Sequence, residues 1–256
     1  MKGCIKEIVV FSFLSLISVC LSAQKDIANQ QNAWLVYLGN HRLSDKWGLH
    51  TEYQFRRADG FREWQQSLLR VGIDYFAASG EQITAGYAWI KSFPYGEQPI
   101  VHVNNEHRTW QQFITKSKFR KIEMQHRYRL EQRFIENWSG SDDETYDMSG
   151  YLYRQRARYR FQIMIPLSNQ ELVNNTLFFA ASDEVFLGFG KGIGKNVLDQ
   201  NRLYAALGWR FNAACNIQLG YLNQFIFKKD GIQAERNHTL QVSLTYNLDF
   251  RRKEDD

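Results

Sequence analysis

The sequence predicts an all-β fold, a single antiparallel transmembrane β-barrel of about 10–12 strands behind an N-terminal signal peptide. Three observations predict it. Between Tyr151 and Ile165, Arg154, Arg156, Arg158 and Arg160 sit on one parity, with Tyr153, Ala157, Tyr159, Phe161, Ile163 and Ile165 on the other. Successive side chains of a strand point to opposite faces, so one face is arginine and the other mostly apolar or aromatic, a separation no helix would give. The preceding segment repeats the pattern, with Glu123, Gln125, Arg127, Arg129, Glu131 and Arg133 opposite Ile122, Met124, His126, Tyr128, Leu130, Gln132 and Phe134. Beyond the N-terminus no segment holds the roughly 18 consecutive apolar residues of a membrane helix, which leaves a closed barrel as the way to span a bilayer.

The N-terminus reads as an export leader. Lys2 and Lys6 are basic, Ile8 to Val19 is apolar except for serines, and Leu21-Ser22-Ala23 offers a cleavage site, giving a signal peptide over 1–23 and a barrel domain over 24–256. A lipidated Cys20 is the alternative, weakened by the bulky Val19 before it. Cys4 and Cys20 leave with the leader, so Cys215 alone remains, and neither an intramolecular disulfide nor a thiolate–metal cluster can form. The 256 residues include only three prolines beside 13 Tyr, 18 Phe and 7 Trp, with a negative mean hydropathy. A barrel with a polar lumen and an apolar belt has this composition. The net charge of +5 falls by one when Lys2, Lys6 and Glu7 are removed, and the basic residues lie in strands rather than in an exposed stripe, which argues against nucleic acid as a partner.

Strand-like runs follow in order at Asn32 to Leu38, Trp47 to Arg57, Trp64 to Ala77, Gln82 to Phe93, Glu106 to Lys116, Arg120 to Ile135, Tyr151 to Ile165, Thr176 to Leu187, Arg202 to Asn212, Asn216 to Phe227 and His238 to Phe250. Trp47, Leu49, Thr51, Tyr53 and Phe55 oppose His50, Glu52, Gln54 and Arg56; Leu203, Ala205, Leu207, Trp209 and Phe211 oppose Arg202, Tyr204 and Arg210; Leu240, Val242, Leu244, Tyr246 and Leu248 oppose Gln241, Ser243, Thr245 and Asn247. Such alternation is the signature of half-buried strands. Single-chain bacterial barrels usually have an even strand number. Asn32 to Leu38 is therefore the suspect run: either it pairs irregularly and leaves ten regular strands, or a further strand brings the count to twelve. Long connections at Ala58 to Glu63, Pro94 to Asn105, Glu136 to Gly150, Gly188 to Asn201 and Lys228 to Asn237 alternate with short turns near Ser44-Asp45, Ser79-Gly80, Ser117-Lys118, Ser168-Asn169 and Asn212-Ala213. The long set is expected outside the cell.

Parity assigns to the lumen Glu52, Arg56, Arg70, Asp74, Glu106, Arg108, Glu123, Arg127, Arg129, Glu131, Arg133, Arg154, Arg156, Arg158, Arg160, Glu184, Arg202 and Arg210. Two readings compete. Rings of arginine select anions in pores, whereas arginines paired bidentately with Glu123 and Glu131 across strands would simply fill the lumen. A soluble barrel with its aromatic faces inward is disfavoured, because about eight strands already give a lumen just filled by side chains.

Other motifs carry less. Gly188, Gly190, Gly192, Gly194 and Lys195 suggest a phosphate cradle, but Phe189 and Asn196 break the P-loop pattern. Asp142, Asp143, Glu144 and Asp147 form an acidic loop without EF-hand spacing. There is no G-x-S-x-G elbow and no H-E-x-x-H pair. His126 points outward mid-strand without a serine on the matching parity, and His50 beside Glu52 lacks a nucleophile.

Glu106-His-Arg108-Thr-Trp110-Gln-Gln112, Arg127-Tyr-Arg129-Leu-Glu131-Gln-Arg133, Arg154-Gln-Arg156-Ala-Arg158-Tyr159, Asp183-Glu184-Val-Phe186, Asn201-Arg202 and Gly220-Tyr221-Leu-Asn-Gln224 together resemble a bacterial family catalogued as domain of unknown function 2490. The resemblance covers nearly all of the mature chain and implies an outer-membrane barrel of unassigned activity, with no catalytic residues to carry over. Phe250 resembles the closing aromatic of outer-membrane proteins, although the tail Arg251 to Asp256 runs past it. The expectation is a monomeric, non-enzymatic protein of a Gram-negative outer membrane, without cofactor or metal. Its expected partners are outer-membrane lipid, the barrel-assembly machinery and small anions. A lipid-modifying enzyme and a loop-mediated adhesion or assembly barrel are the alternatives.

Overall fold

The computed structural model describes residues 25–139 and 147–251. Alternating runs rich in aromatic and β-branched residues give eleven strands: β1 Asp26–Arg42, β2 Trp47–Ala58, β3 Glu63–Phe76, β4 Gln82–Ser92, β5 Asn104–Phe119, β6 Ile122–Ser139, β7 Asp147–Pro166, β8 Thr176–Phe189, β9 Leu198–Arg210, β10 Cys215–Phe227 and β11 Gln233–Tyr246. They form one closed barrel in which every sequential pair is antiparallel.

Two expectations are corrected here. The eleven strands fall within the expected ten to twelve, but the even-number argument for ten or twelve fails, and the barrel is mixed rather than wholly antiparallel, because β1 and β11 close it in parallel from Asp26 opposite Gln233 to Leu38 opposite Thr245. An odd number of up-and-down strands brings the last strand beside the first in the same direction, so a parallel seam is the only closure. The suspect first run is a regular strand, longer than expected at both ends. Its N-terminal stretch, Asn29-Gln30-Gln31-Asn32, lacks the apolar alternation that marks the other strands. β11 ends at Tyr246, and Phe250 lies beyond it, exposed, with its N–H donated to the Arg42 carbonyl.

The stagger is large. From Trp34, the row of paired residues runs through Arg56, Gln66 and Ser92 to Asn104 at one end of β5. In the other direction it runs through Gln241, Gly220, Ala206, Ala180, Met164 and Glu123 to Lys118 near the opposite end of the same strand. Such an offset tilts strands by about 35–45° from the barrel axis. One β-bulge, opposite Arg56 and Arg57, lets β3 turn Gln65 toward the lumen, where its amide oxygen accepts from Trp34 Nε1 at 2.6 Å.

Connection lengths separate the two ends only in part. The segment 167–175, expected as a short turn, exceeds 228–232 of the long set, and its Leu172 packs on Phe178 and Ala180 to cover the lumen. At the opposite mouth the segment 93–103 crosses the opening: Tyr95 donates to Glu235 Oε2 at 2.9 Å, and the Gln98 carbonyl accepts from Lys228 Nζ at 3.4 Å. Burial, with Glu235 alongside, pushes the Tyr95 phenol upward. Of the acidic loop, Asp147 opens β7, while Asp142, Asp143 and Glu144 lie outside the described residues.

The parallel register is directly testable. With Cys215 replaced by Ser, the pair Ala33→Cys and Leu240→Cys, which face each other across the seam, is expected to oxidise to a disulfide, its Cα separation being about 5 Å. Leu240 exchanged for Val242 as the second cysteine should crosslink far less. Equal crosslinking of both pairs on a non-reducing gel would contradict the closure.

Candidate functional site

Parity delivers the arginines and acids to a shared interior. Glu131 on β6 is its centre, with 0% exposure. Its Oε2 accepts from Arg156 Nε at 2.9 Å and Nη2 at 2.6 Å, and its Oε1 from Arg158 Nη1 at 2.7 Å. Arg70 and Arg108 approach the same carboxylate at 3.6 and 3.8 Å. Glu184 on β8 takes Arg127 Nη2 at 2.6 Å and Arg158 Nε at 2.9 Å. Glu106 joins Arg108 on its own strand to Arg133 on β6, the latter at 2.6 Å. Glu52 pairs with Arg70 and lies 3.6 Å from His50. Arg156 also reaches Asp199 at 2.7 Å. A strand brings one carboxylate within reach of both neighbours, so Glu131, Glu184 and Glu106 are each shared between guanidiniums from different strands.

Arg56, Arg129, Arg160 and Arg202 are met by amides and rings. Arg129 donates twice to Gln112 Oε1, at 3.1 and 2.5 Å, and Arg160 donates to Gln125 Oε1 at 2.8 Å. Arg56 donates to Gln66 Oε1 at 2.6 Å and lies 3.9 Å above the Trp34 ring, which Arg202 also approaches at 5.2 Å. Trp110 sits between Arg129 and Arg70, 4.9 and 5.5 Å from its centroid, and Phe186 contacts Arg156, Arg158 and Arg202. Electrostatic attraction to the π face makes such rings partners for desolvated cations. Trp110 needs room: a Cβ at Gly86 would stand 2.1 Å from the Val71 carbonyl and 3.0 Å from the indole.

Most residues expected in the lumen are there. Asp74 is fully buried and accepts from Thr84 Oγ1 at 2.6 Å. Arg154 lies toward the loop end and Arg210, half-buried, between Thr176 and Asn216 at the turn end. Glu123 is a correction. It is half-buried at the end of β6 opposite Lys118 and Met164, and the ladder that it was expected to share with Glu131 is shared instead with Glu184. Trp34, Trp110, Phe186 and Asp199 were missed, although Trp34, Trp110 and Phe186 share the parity of the charged residues on their strands. Asp183 was missed in another way: it lies on the outer wall, 5% exposed, accepting from Asn201 Nδ2 at 2.7 Å.

His50 meets Asn40 and Glu52, and His126 meets Tyr159 and Phe161. Among the described residues no group of three His, Cys, Asp or Glu is placed to hold a metal.

With this geometry in place, a family model described as "Protein of unknown function (DUF2490)" matches residues 31–249. The chain belongs to this family. No curated protein and no solved structure matches it. The DUF2490 match spans all eleven strands in whole or in part, including the seam and Glu131.

Removing a partner from a buried ion network costs about 3–5 kcal/mol. Glu131→Ala is therefore expected to lower unfolding stability by about that amount in a urea titration of the folded barrel, and Glu123→Ala by less than about 0.5 kcal/mol. Comparable losses for both would show that Glu131 is not the centre.

Proposed function

We propose that the chain is an integral outer-membrane β-barrel, exported by a leader over 1–23 and folded over 24–256, whose Arg/Glu lumen is a structural ionic core without enzymatic activity. One observation carries the reading: the barrel is inside out. Glu131, Arg70 and Arg129 are at most 2% exposed, while Leu69, Ile73, Leu203, Leu207, Leu219 and Leu240 face outward at 46–57% exposure. Water would leave that wall as one large apolar surface, whereas lipid makes it the favourable face.

The wall has the expected borders. At the turn end stand Trp47, Tyr75, Trp209 and Tyr246, and at the loop end Phe55, Trp64, Phe93 and Tyr151, with Trp64 packed edge-to-face on Phe55 and tilted against Phe93, at 4.7 and 5.3 Å between centroids. Aromatic girdles flank the apolar band of outer-membrane barrels. The structural role of the lumen is supported by its shared ion pairs and by the segments that lie over both mouths.

A second reading, slow anion conduction, is favoured by one observation: Arg56, Arg129 and Arg160 rest on glutamine oxygens rather than on carboxylates. Planar-bilayer recording separates the two. The structural core gives no anion-biased current, and a current abolished by Arg156→Ala with Arg158→Ala would replace it with the pore.

The membrane assignment has its own test. In phospholipid vesicles Leu240→Arg is expected to cost about 2–4 kcal/mol if the residue lies near the midplane, while an exposed site in water would tolerate it within about 0.5 kcal/mol. Recovery of the protein in the outer-membrane fraction with heat-modifiable gel mobility is the companion result. A soluble, non-shifting protein would defeat the proposal.

A further inference from the structure

The glycine-rich segment after β8 has no part in the ionic core, yet it is fixed in place. Lys195 N–H donates to the Lys229 carbonyl at 3.1 Å, Asn196 Nδ2 to the Lys228 carbonyl at 2.8 Å, and Lys25 Nζ to the Gly231 carbonyl at 2.9 Å. The β8–β9 loop is thus docked on the β10–β11 turn, with Lys25, just before β1, holding that turn. Close approach requires glycine at 194, where a Cβ would stand 2.7 Å from the Lys229 carbonyl.

Between this loop and the ends of β6 and β7 lies a small, half-open cleft lined by Arg133, Arg154, Arg156, Asp199, Lys228 and Lys229 together with Gly188, Gly192 and Gly194. Its charges do not cancel. Arg156 is paired with Asp199, Arg133 with Glu106 and Lys228 with Glu235. Arg154 and Lys229 have no carboxylate partner among the described residues, and Arg154 Nε is buried without a hydrogen-bond partner. Arg133 and Arg154 also stand directly opposite each other across the β6–β7 ladder. Like charges in that position repel, and Glu106 is bonded on the Arg133 side of the pair only.

We propose that this cleft is a binding site for a phosphate group, presented by a free phosphorylated small molecule or by a phosphorylated lipid headgroup at the loop end of the barrel. A phosphate carries several strong acceptor oxygens and up to two charges, which suits one planar guanidinium and one ammonium approaching from different strands. Glycine at 188, where a Cβ would meet nothing nearer than 3.4 Å, keeps that part of the cleft wall free of a side chain. The P-loop pattern is absent, so the chemistry rests on side-chain cations rather than on a cradle of backbone N–H groups. The site stands whether or not the barrel spans a membrane, since it needs only the folded loops.

The test uses the full mature chain, folded in a phosphate-free zwitterionic detergent and titrated calorimetrically with inorganic phosphate and pyrophosphate. A second arm measures co-sedimentation with phosphatidylcholine vesicles with and without diphosphorylated lipid A. Arg154→Gln and Lys229→Gln are compared with wild type, each checked for an unchanged far-ultraviolet spectrum; Lys229 is exposed, so its variant keeps the test open if Arg154→Gln folds poorly. Weakening of about ten-fold or more in either variant supports the site. Weakened pyrophosphate binding identifies a soluble ligand, and weakening confined to lipid A vesicles identifies a headgroup. No binding in either arm, or binding unchanged by both substitutions, overturns the proposal.

Discussion

The barrel is organised around a carboxylate that cannot stand alone. A charged group taken fully out of water is untenable unless neutralised and hydrogen-bonded on every side, and Glu131 meets that condition with Arg156 and Arg158 on β7, Arg70 on β3 and Arg108 on β5. The arginines are in the same position, since each needs the carboxylate as much as it needs them. A one-residue slip of β7 would turn its guanidiniums outward and bring Tyr159 and Phe161 inward. The network therefore specifies register and neighbours whatever its net contribution to stability.

Arginine exceeds carboxylate in this interior, and the aromatic residues explain how the surplus is held. Trp34, Trp110 and Phe186 place their rings against Arg56, Arg129 and Arg202, while glutamine oxygens accept from the guanidinium edges. Rings and amides thus stand beside the guanidiniums where further carboxylates would otherwise be needed, and these ring and arginine side chains are largely buried. The odd strand count adds a constraint of its own. Because β1 and β11 run in parallel, the chain enters at the loop end and leaves at the turn end, and Lys25 becomes available to hold the β10–β11 turn.

Much of this was legible from parity alone. Alternation is a local property, and Arg154 to Arg160 declare their face without reference to any neighbour. Pairing is not local. Glu123 and Glu184 both have the parity to meet an arginine, and only the register between β6, β7 and β8 decides that Arg158 reaches Glu184. The even-number rule misjudged the first run for a related reason: the polar start of β1 is recognisable only once β11 lies beside it. Trp34 and Trp110 were hidden by convention, since an indole in a membrane barrel is expected at the interface rather than stacked under arginine in the lumen.

The outer wall bears on its surroundings in a further way, through how its few polar groups are satisfied. Asn201 donates to Asp183; Thr109 and Gln111 donate to Gln132; Gln155 donates to the Tyr153 hydroxyl. The Tyr87 and Tyr221 hydroxyls lie 2.5 Å from Nδ1 of His107 and His238. Each bond runs sideways to another residue of the same wall. In water such groups are satisfied by solvent and have little reason to pair, because a surface hydrogen bond between side chains gains little over hydration. Against hydrocarbon an unmet amide or carboxyl costs several kcal/mol, about the scale on which a strand would be rejected from a bilayer. Sideways pairing is thus what lipid would demand of this wall, by an argument independent of its hydrophobicity.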